Sequence, residues 1–401
     1  MLKIKQRLIF REDNVILQNF WGFWRRDIET FQKSDFLTSG GRYSVTESLL
    51  GKISGELLIE IDVPIEVEVT FEAQINANVN GAIAHANAPG AIARAIAPGT
   101  KAYANAPGAI ANANADGAEA YANASRAIAN ANAPGAIARA IALGAKAYAD
   151  VDGAKAYANA PGAIAHANAR GVFAYSTVTG AIAHANKPEA EAYATAPGTE
   201  AYANFPEAIA YAKARGAKAY ANASRAKAYA NVDGAKANAN ALGAIAYANK
   251  PGAIAYANRP GAKAYANELG AIANANAEGA IANANAWGAE AHANKPGAEA
   301  HANVWGAEAH ANAWGAEAHA NGDGAKAYAN ADGAEAHANV DGAIARADVF
   351  KSRAYANKTG AKAYADAPGT IANATAPGAK AYAYVPGAEA YATVPGAEIM
   401  R

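Results

Sequence analysis

The sequence predicts an all-β protein: a flattened parallel β-solenoid with 18-residue coils, two nonapeptides to each coil, an alanine-filled core and a small N-terminal capping unit. Three observations lead there. From Gly81 to Pro395 the chain is 35 consecutive nonapeptides without insertion or deletion, with the consensus Gly-Ala-x-Ala-x-Ala-Asn-x-x. Within each repeat the alanines recur with period two, at the second, fourth and sixth positions, while larger or charged side chains fill the third and fifth. That alternation belongs to a strand. All 15 prolines of this region fall at the ninth position, just before a first position that is Gly in 30 repeats. Proline fixes φ and glycine admits positive φ, so the junction is a turn.

Each element follows from these features. The fourth position is Ala in all 35 repeats and the sixth in 34, with Ser176 as the exception, so one face of every strand carries little but methyl groups. The expected strand is about six residues long, and the turn takes positions eight, nine and one. Alanine's helix preference does not compete, because a breaker at every ninth residue leaves two-turn helices with no amphipathic stripe. An antiparallel meander of all these strands would expose its alanine face and far exceed usual sheet sizes. Nine residues cannot close a coil, so two repeats form the smallest one, with two facing parallel sheets and a thin methyl-lined slab between them. Such a dry slab is similar to a steric zipper. A triangular coil of three nonapeptides is the alternative. At roughly 4.8 Å per coil, about 17.5 coils make a rod of about 84 Å.

In period and coil logic the chain resembles the nonapeptide β-roll class of solenoids. The calcium-binding repeat of that class, Gly-Gly-x-Gly-x-Asp, is replaced here by Ala and Asn, so the resemblance implies a fold and no calcium. Solenoid filament-formers such as bactofilins are similar in architecture alone.

Residues 1–55 form a non-repeating N-terminal unit, in which Phe10, Phe20, Trp21, Phe23 and Trp24 suffice for a small core. An interfacial membrane anchor made of Trp21, Trp24, Arg25 and Arg26 is the rival reading. Residues 56–80 are capping and transition strands, where Ile59, Ile61, Val63, Ile65, Val67, Val69, Phe71, Ala73 and Ile75 alternate with mostly polar neighbours. Terminal units of solenoids close the first coil in this way. Residues 81–401 are the nonapeptide solenoid.

Composition excludes several functions. The 35 basic and 35 acidic residues leave no positive excess for a nucleic-acid partner. Cysteine is absent, which removes disulfides and thiolate metal sites. No nucleophile–base arrangement and no phosphate loop appears, so no enzyme and no cofactor is expected. Neither a secretory signal nor a membrane-spanning apolar run is visible. Cytoplasmic residence is the default, with non-classical export as a surface or fibre component the alternative.

Surface candidates follow from residues 18 apart stacking. Tyr157, Tyr175 and Tyr193 begin a ladder that continues through Tyr211, Tyr229, Tyr247 and Tyr265 on one face. Ile92, Ile110 and Ile128 form a stripe on the other, interrupted at Lys146 and resumed at Ile164 and Ile182. Asn at the seventh position, present in 24 repeats, is placed to hydrogen-bond from coil to coil. His301, His319 and His337 line up beside Glu299, Glu317 and Glu335. Such columns can hold zinc or respond to pH near six, against the plainer reading of a solvated face. Trp287, Trp305 and Trp314 sit at turns and mark either a contact surface or packing over the neighbouring turn. The expected function is a non-enzymatic structural repeat protein, a rigid self-associating rod or fibre subunit, homo-oligomeric through lateral or end-to-end contacts. The alternative is a surface-binding module or adhesin that recognises carbohydrate or another ordered surface through its Tyr and Ile faces. Ice binding is disfavoured, because threonine is scattered.

Overall fold

The computed structural model describes residues 4–11, 14–21, 24–32, 37, 43–45, 56–69 and 73–400. The chain divides into two units, Met1–Tyr193 and Ala194–Arg401. Every element among the described residues is a β-strand. Phe23 and Phe71, and the side chains of Phe20, Trp21, Trp24, Arg25 and Arg26, lie outside the described residues, and so does the anchor reading built on them.

Within each repeat the strand takes positions three to six, as in Ile92–Ala95 and Ile110–Ala113, four residues rather than the six expected. The second position drops out because its amide closes the turn: Ala91 N–H donates to the Ala88 carbonyl at 3.1 Å and Ala109 N–H to the Ala106 carbonyl at 3.0 Å. Between donor and acceptor sit Pro89–Gly90 and Pro107–Gly108, with φ of +77° at Gly90 and +74° at Gly108. Proline cannot take positive φ, so the pair defines a type II turn. In the five repeats whose first position is not Gly, the residues there still adopt the left-handed conformation. They are Arg126, Glu189, Glu207, Arg225 and Lys351, at φ of 57–66°. That conformation costs an L-residue about 1–2 kcal/mol, offset in part by glycine's extra unfolded-state entropy. Arg126→Gly is therefore expected to raise unfolding stability by up to about 1 kcal/mol. A lowered midpoint in thermal melts would show that the Arg126 side chain supports the turn more than its backbone strains it.

Coil stacking follows the two-repeat period. In the first unit Ile110 pairs with Ile92 on one side and with Ile128 on the other, in parallel, and Tyr103 pairs with Tyr121 in the facing sheet. The second unit repeats the pattern, with Glu200 on Lys218 in one sheet and Ile209 on Lys227 in the other. This register excludes the triangular coil and the antiparallel meander. Up to Ala381, alanines at positions two, four and six point inward and are fully buried, for example Ala244, Ala246 and Ala248. A buried methyl contributes little area, yet alanine loses no rotamer freedom on burial. Where a hydroxyl replaces a methyl it is tied to backbone: Thr100 donates to the Ala97 carbonyl and Ser176 to the Tyr193 carbonyl, at 2.5 and 3.1 Å.

The N-terminal strands enter the same sheets. β1 (Ile4–Phe10) pairs antiparallel with β2 (Asn14–Trp21), and β2 with β3 (Trp24–Gln32). On its other side β1 pairs in parallel with a later strand, and β4 (Tyr43–Val45) lies in the facing sheet. That partner, β5 (Glu56–Ile61), leads on to β7 (Gln74–Ala77) and β9 (Ile92–Ala95), while β4 leads to β6 (Glu66–Val69) and β8 (Ile83–Ala86). Inward side chains shrink along these columns. Phe10, Ile61, Ala77 and Ala95 stack in order, as do Leu8, Ile59, Ile75 and Ala93, and all eight are fully buried. Bulky groups thus give way to methyls within three coils, as the full 18-residue spacing sets in.

Candidate functional surfaces

Within the repeats the inner positions carry packing, and the side chains open to a partner are those at positions three, five, seven and the turns. Outward rings stack face to face along each unit. Tyr157–Tyr175 and Tyr175–Tyr193 have centroids 4.9 Å apart in the first unit. In the second, Tyr211, Tyr229, Tyr247 and Tyr265 stack at 4.8–5.1 Å. Strand spacing imposes this distance. Each inner ring spends both faces on its neighbours, leaving an edge and a hydroxyl at the surface. Burial raises the pKa of Tyr175 and Tyr247, with the neighbouring phenols adding to it. The stripe of Ile92, Ile110 and Ile128 is in register and half-buried, and Lys146 follows it as expected.

Seventh-position asparagines form unidirectional ladders. In the second unit one row runs from Asn330 back to Asn204 and another from Asn357 back to Asn231, with each Nδ2 donating to the Oδ1 18 residues earlier at 2.8–3.1 Å. Aligned amide dipoles reinforce one another. In the first unit two rows end on an acid, Asn87 donating to Glu68 and Asn168 to Asp150 at 3.0 and 2.8 Å, and the single Asn78, followed by Ile96 one coil on, donates to Asp62 at 2.9 Å. These carboxylates were not anticipated. Their signal is an acid one coil before an Asn.

The same asparagines fix the histidines. Asn321, Asn339 and Asn357 donate to Nδ1 of His301, His319 and His337 at 3.4, 3.5 and 3.5 Å. An amide NH₂ can only donate, so Nδ1 accepts and the ring proton sits on Nε2. Nε2 in turn faces the carboxylate two residues earlier: 3.1 Å from Glu299 to His301, 3.2 Å from Glu317 to His319 and 3.5 Å from Glu335 to His337. The rings stack at 4.8 and 4.9 Å. Burial pushes His319 down to about 4, helped by the charges His337 and His301 would carry and opposed by Glu317 and Glu299. His337 is also lowered, chiefly by burial. Titration near six is therefore moved downward. Glu317, His319 and His337 offer ligand atoms within 4.8 Å of one another. Ligands of one tetrahedral zinc lie about 3.3 Å apart at its usual bond lengths. Zinc would thus have to tilt rings out of the stack and take the Nε2 proton.

Trp287, Trp305 and Trp314 occupy the ninth position, where proline stands elsewhere, and are 55%, 59% and 69% exposed. Trp287 and Trp305 stack with centroids 5.9 Å apart. Each ring leans over the turn glycine of the next coil, Trp287 over Gly306 and Trp305 over Gly324, where an added Cβ would meet it at 2.7 Å. Packing over the turn and presenting a large aromatic surface thus coexist. A shallow open groove of about 780 Å³ lies on another turn edge, lined by Arg215, Asn231, Asp233 and Lys250 among others. Among the described residues no helix is long and apolar enough to cross a membrane.

No protein-family model matches the chain, and no curated protein matches it either.

Proposed function

We propose that the chain is a non-enzymatic structural repeat protein whose flat faces associate with further copies, making it a subunit of a filament or fibre. The β-solenoid itself is consistent with a structural repeat protein. The observation that supports self-association is the outward rows. They are regular and flat, and they mix half-buried isoleucines with ordered charges instead of converging on a reacting centre. Negative-stain microscopy at tens of micromolar, where a standard interface forms, is expected to show filaments or laterally joined particles. Isolated particles at every concentration would remove this reading.

The second reading is a module that binds carbohydrate or another ordered surface. Inner tyrosine rings have no face left for a sugar, so this reading rests on Trp287, Trp305 and Trp314, whose exposed indoles suit stacking. Loss of polysaccharide retention on replacing these three with Ala would favour it.

A further inference from the structure

The third positions along the first sheet of the second unit stack coil on coil from Glu200 to Lys326. Turned end for end, this eight-coil stretch of a row that continues to Glu398 is its own charge complement. Glu200 comes opposite Lys326, Lys218 opposite Glu308, Lys236 opposite Glu290, and Ile254 opposite Ile272. We propose that this face pairs with the same face of a second copy of the chain, antiparallel, about a two-fold axis between the coils of Ile254 and Ile272. The proposal rests on the self-association reading above and specifies its contact.

A two-fold axis along the strand direction reverses the order of coils but preserves strand direction, so third positions meet third positions and fifth meet fifth. The fifth positions then place Tyr202 on Tyr328, Tyr220 on His310, Asn238 on His292 and Tyr256 on Asn274, with no like charges opposed. The charges are available: Lys218, Glu290 and Lys326 side chains are 45%, 46% and 44% exposed. Lys218 already bridges to Glu200 at 3.3 Å and Lys326 to Glu308 at 3.2 Å within the row. Pairing sets the first bridge against the second, so each charge gains an opposite partner across the interface while keeping the one beside it. The half-buried Ile254 and Ile272 supply the apolar centre within this charged border.

The facing sheet is a poorer candidate. Its best antiparallel register sets Lys227 opposite Glu335 and Lys263 opposite Glu299, but leaves the Glu317 carboxylate against Ile245, with no opposite charge across the interface to offset its desolvation. Eight coils at about 4.8 Å by four residues at about 3.3 Å give a footprint on the order of 500 Å² a side, near the lower limit for a specific interface. The expected pair is accordingly modest in affinity and weakened by salt.

Sedimentation of the full chain at about 50 μM tests this. The parent is expected to associate in low salt and to dissociate in about 0.5 M NaCl. Lys236→Glu alone and Glu290→Lys alone each create two symmetric like-charge contacts, and each is expected to weaken association at least about tenfold. An equimolar mixture of the two variants restores both ion pairs and is expected to recover association. Circular dichroism on each variant checks that the solenoid persists. If the variants associate as the parent does, or the mixture fails to recover, this face pairing is overturned while self-association stands. A parent monomeric in every buffer overturns both.

Discussion

Ala246→Leu is expected to lower the stability of the second unit by more than about 3 kcal/mol, above the usual range for overpacking. Ala246 is fully buried, and its stacking neighbours Ala228 and Ala264 are fully buried as well. An ordinary core absorbs an extra methylene by shifting rotamers, but alanine has none to shift. Relief requires the two sheets to part, and parting breaks the parallel ladder on either side. Each coil of a solenoid touches only its neighbours, so one parted coil uncouples those before it from those after it. Thermal melting should show a midpoint lowered by roughly 10 °C, or a split transition. The outward neighbour is the control: Ile245→Leu keeps volume and should cost less than about 1.5 kcal/mol. A melt of Ala246→Leu that coincides with the parent would mean that the slab is looser than its burial implies.

Period and coil were legible because the repeat enforces them thirty-five times, and turn chemistry was legible because Pro-Gly at a fixed place admits few turn types. Strand length was overestimated at both ends, since sequence shows alternation at position two but not that the amide of Ala91 is claimed by the turn carbonyl of Ala88. The Tyr rings stack at the 18-residue spacing within each unit and the Trp rings sit at turns, yet what a ring offers depends on whether its face is already covered. Tyr175 has both faces covered, whereas Trp287 leaves more than half its surface open. Residue type is the same kind of signal in both cases; only stacking distance separates them. The bond from Asn339 to His319 spans 20 residues and joins position seven to position five of the previous coil. It becomes readable only once the 18-residue register is known. The N-terminal strands lacked that aid. Without a period, β1–β3 read as a packed unit of unspecified structure, although β1 joins the coil sheet through Leu8 on Ile59.

Acidification is expected to destabilise both units between about pH 6.5 and pH 4. In the first unit burial holds His166 down at about 4, with the charges of His184 and Lys146 adding to the effect, and His184 is lowered by burial. In the second, His319 lies at about 4, and His310 and His337 are lowered, chiefly by burial. An unfolded histidine takes up its proton near pH 6.5, well before these folded ones. The unfolded chain therefore binds more protons across this window, and stability falls with falling pH until the folded sites protonate as well. Protonation also destroys the acceptor at Nδ1, so Asn339 and Asn357 would face imidazolium donors instead. Each pKa unit corresponds to about 1.4 kcal/mol, which makes the loss at His319 alone on the order of 2 kcal/mol. Asp348 works the other way, because burial and nearby Asp366 raise its pKa and favour its protonated form. One raised carboxyl does not outweigh several depressed histidines. His319→Asn tests the cause directly, since Asn283 already occupies the same position in that column two coils earlier, directly beneath His301. Its denaturant midpoint should fall less than the parent's from pH 7 to pH 4.5. If both fall equally, the stacked imidazoles are not the groups that titrate.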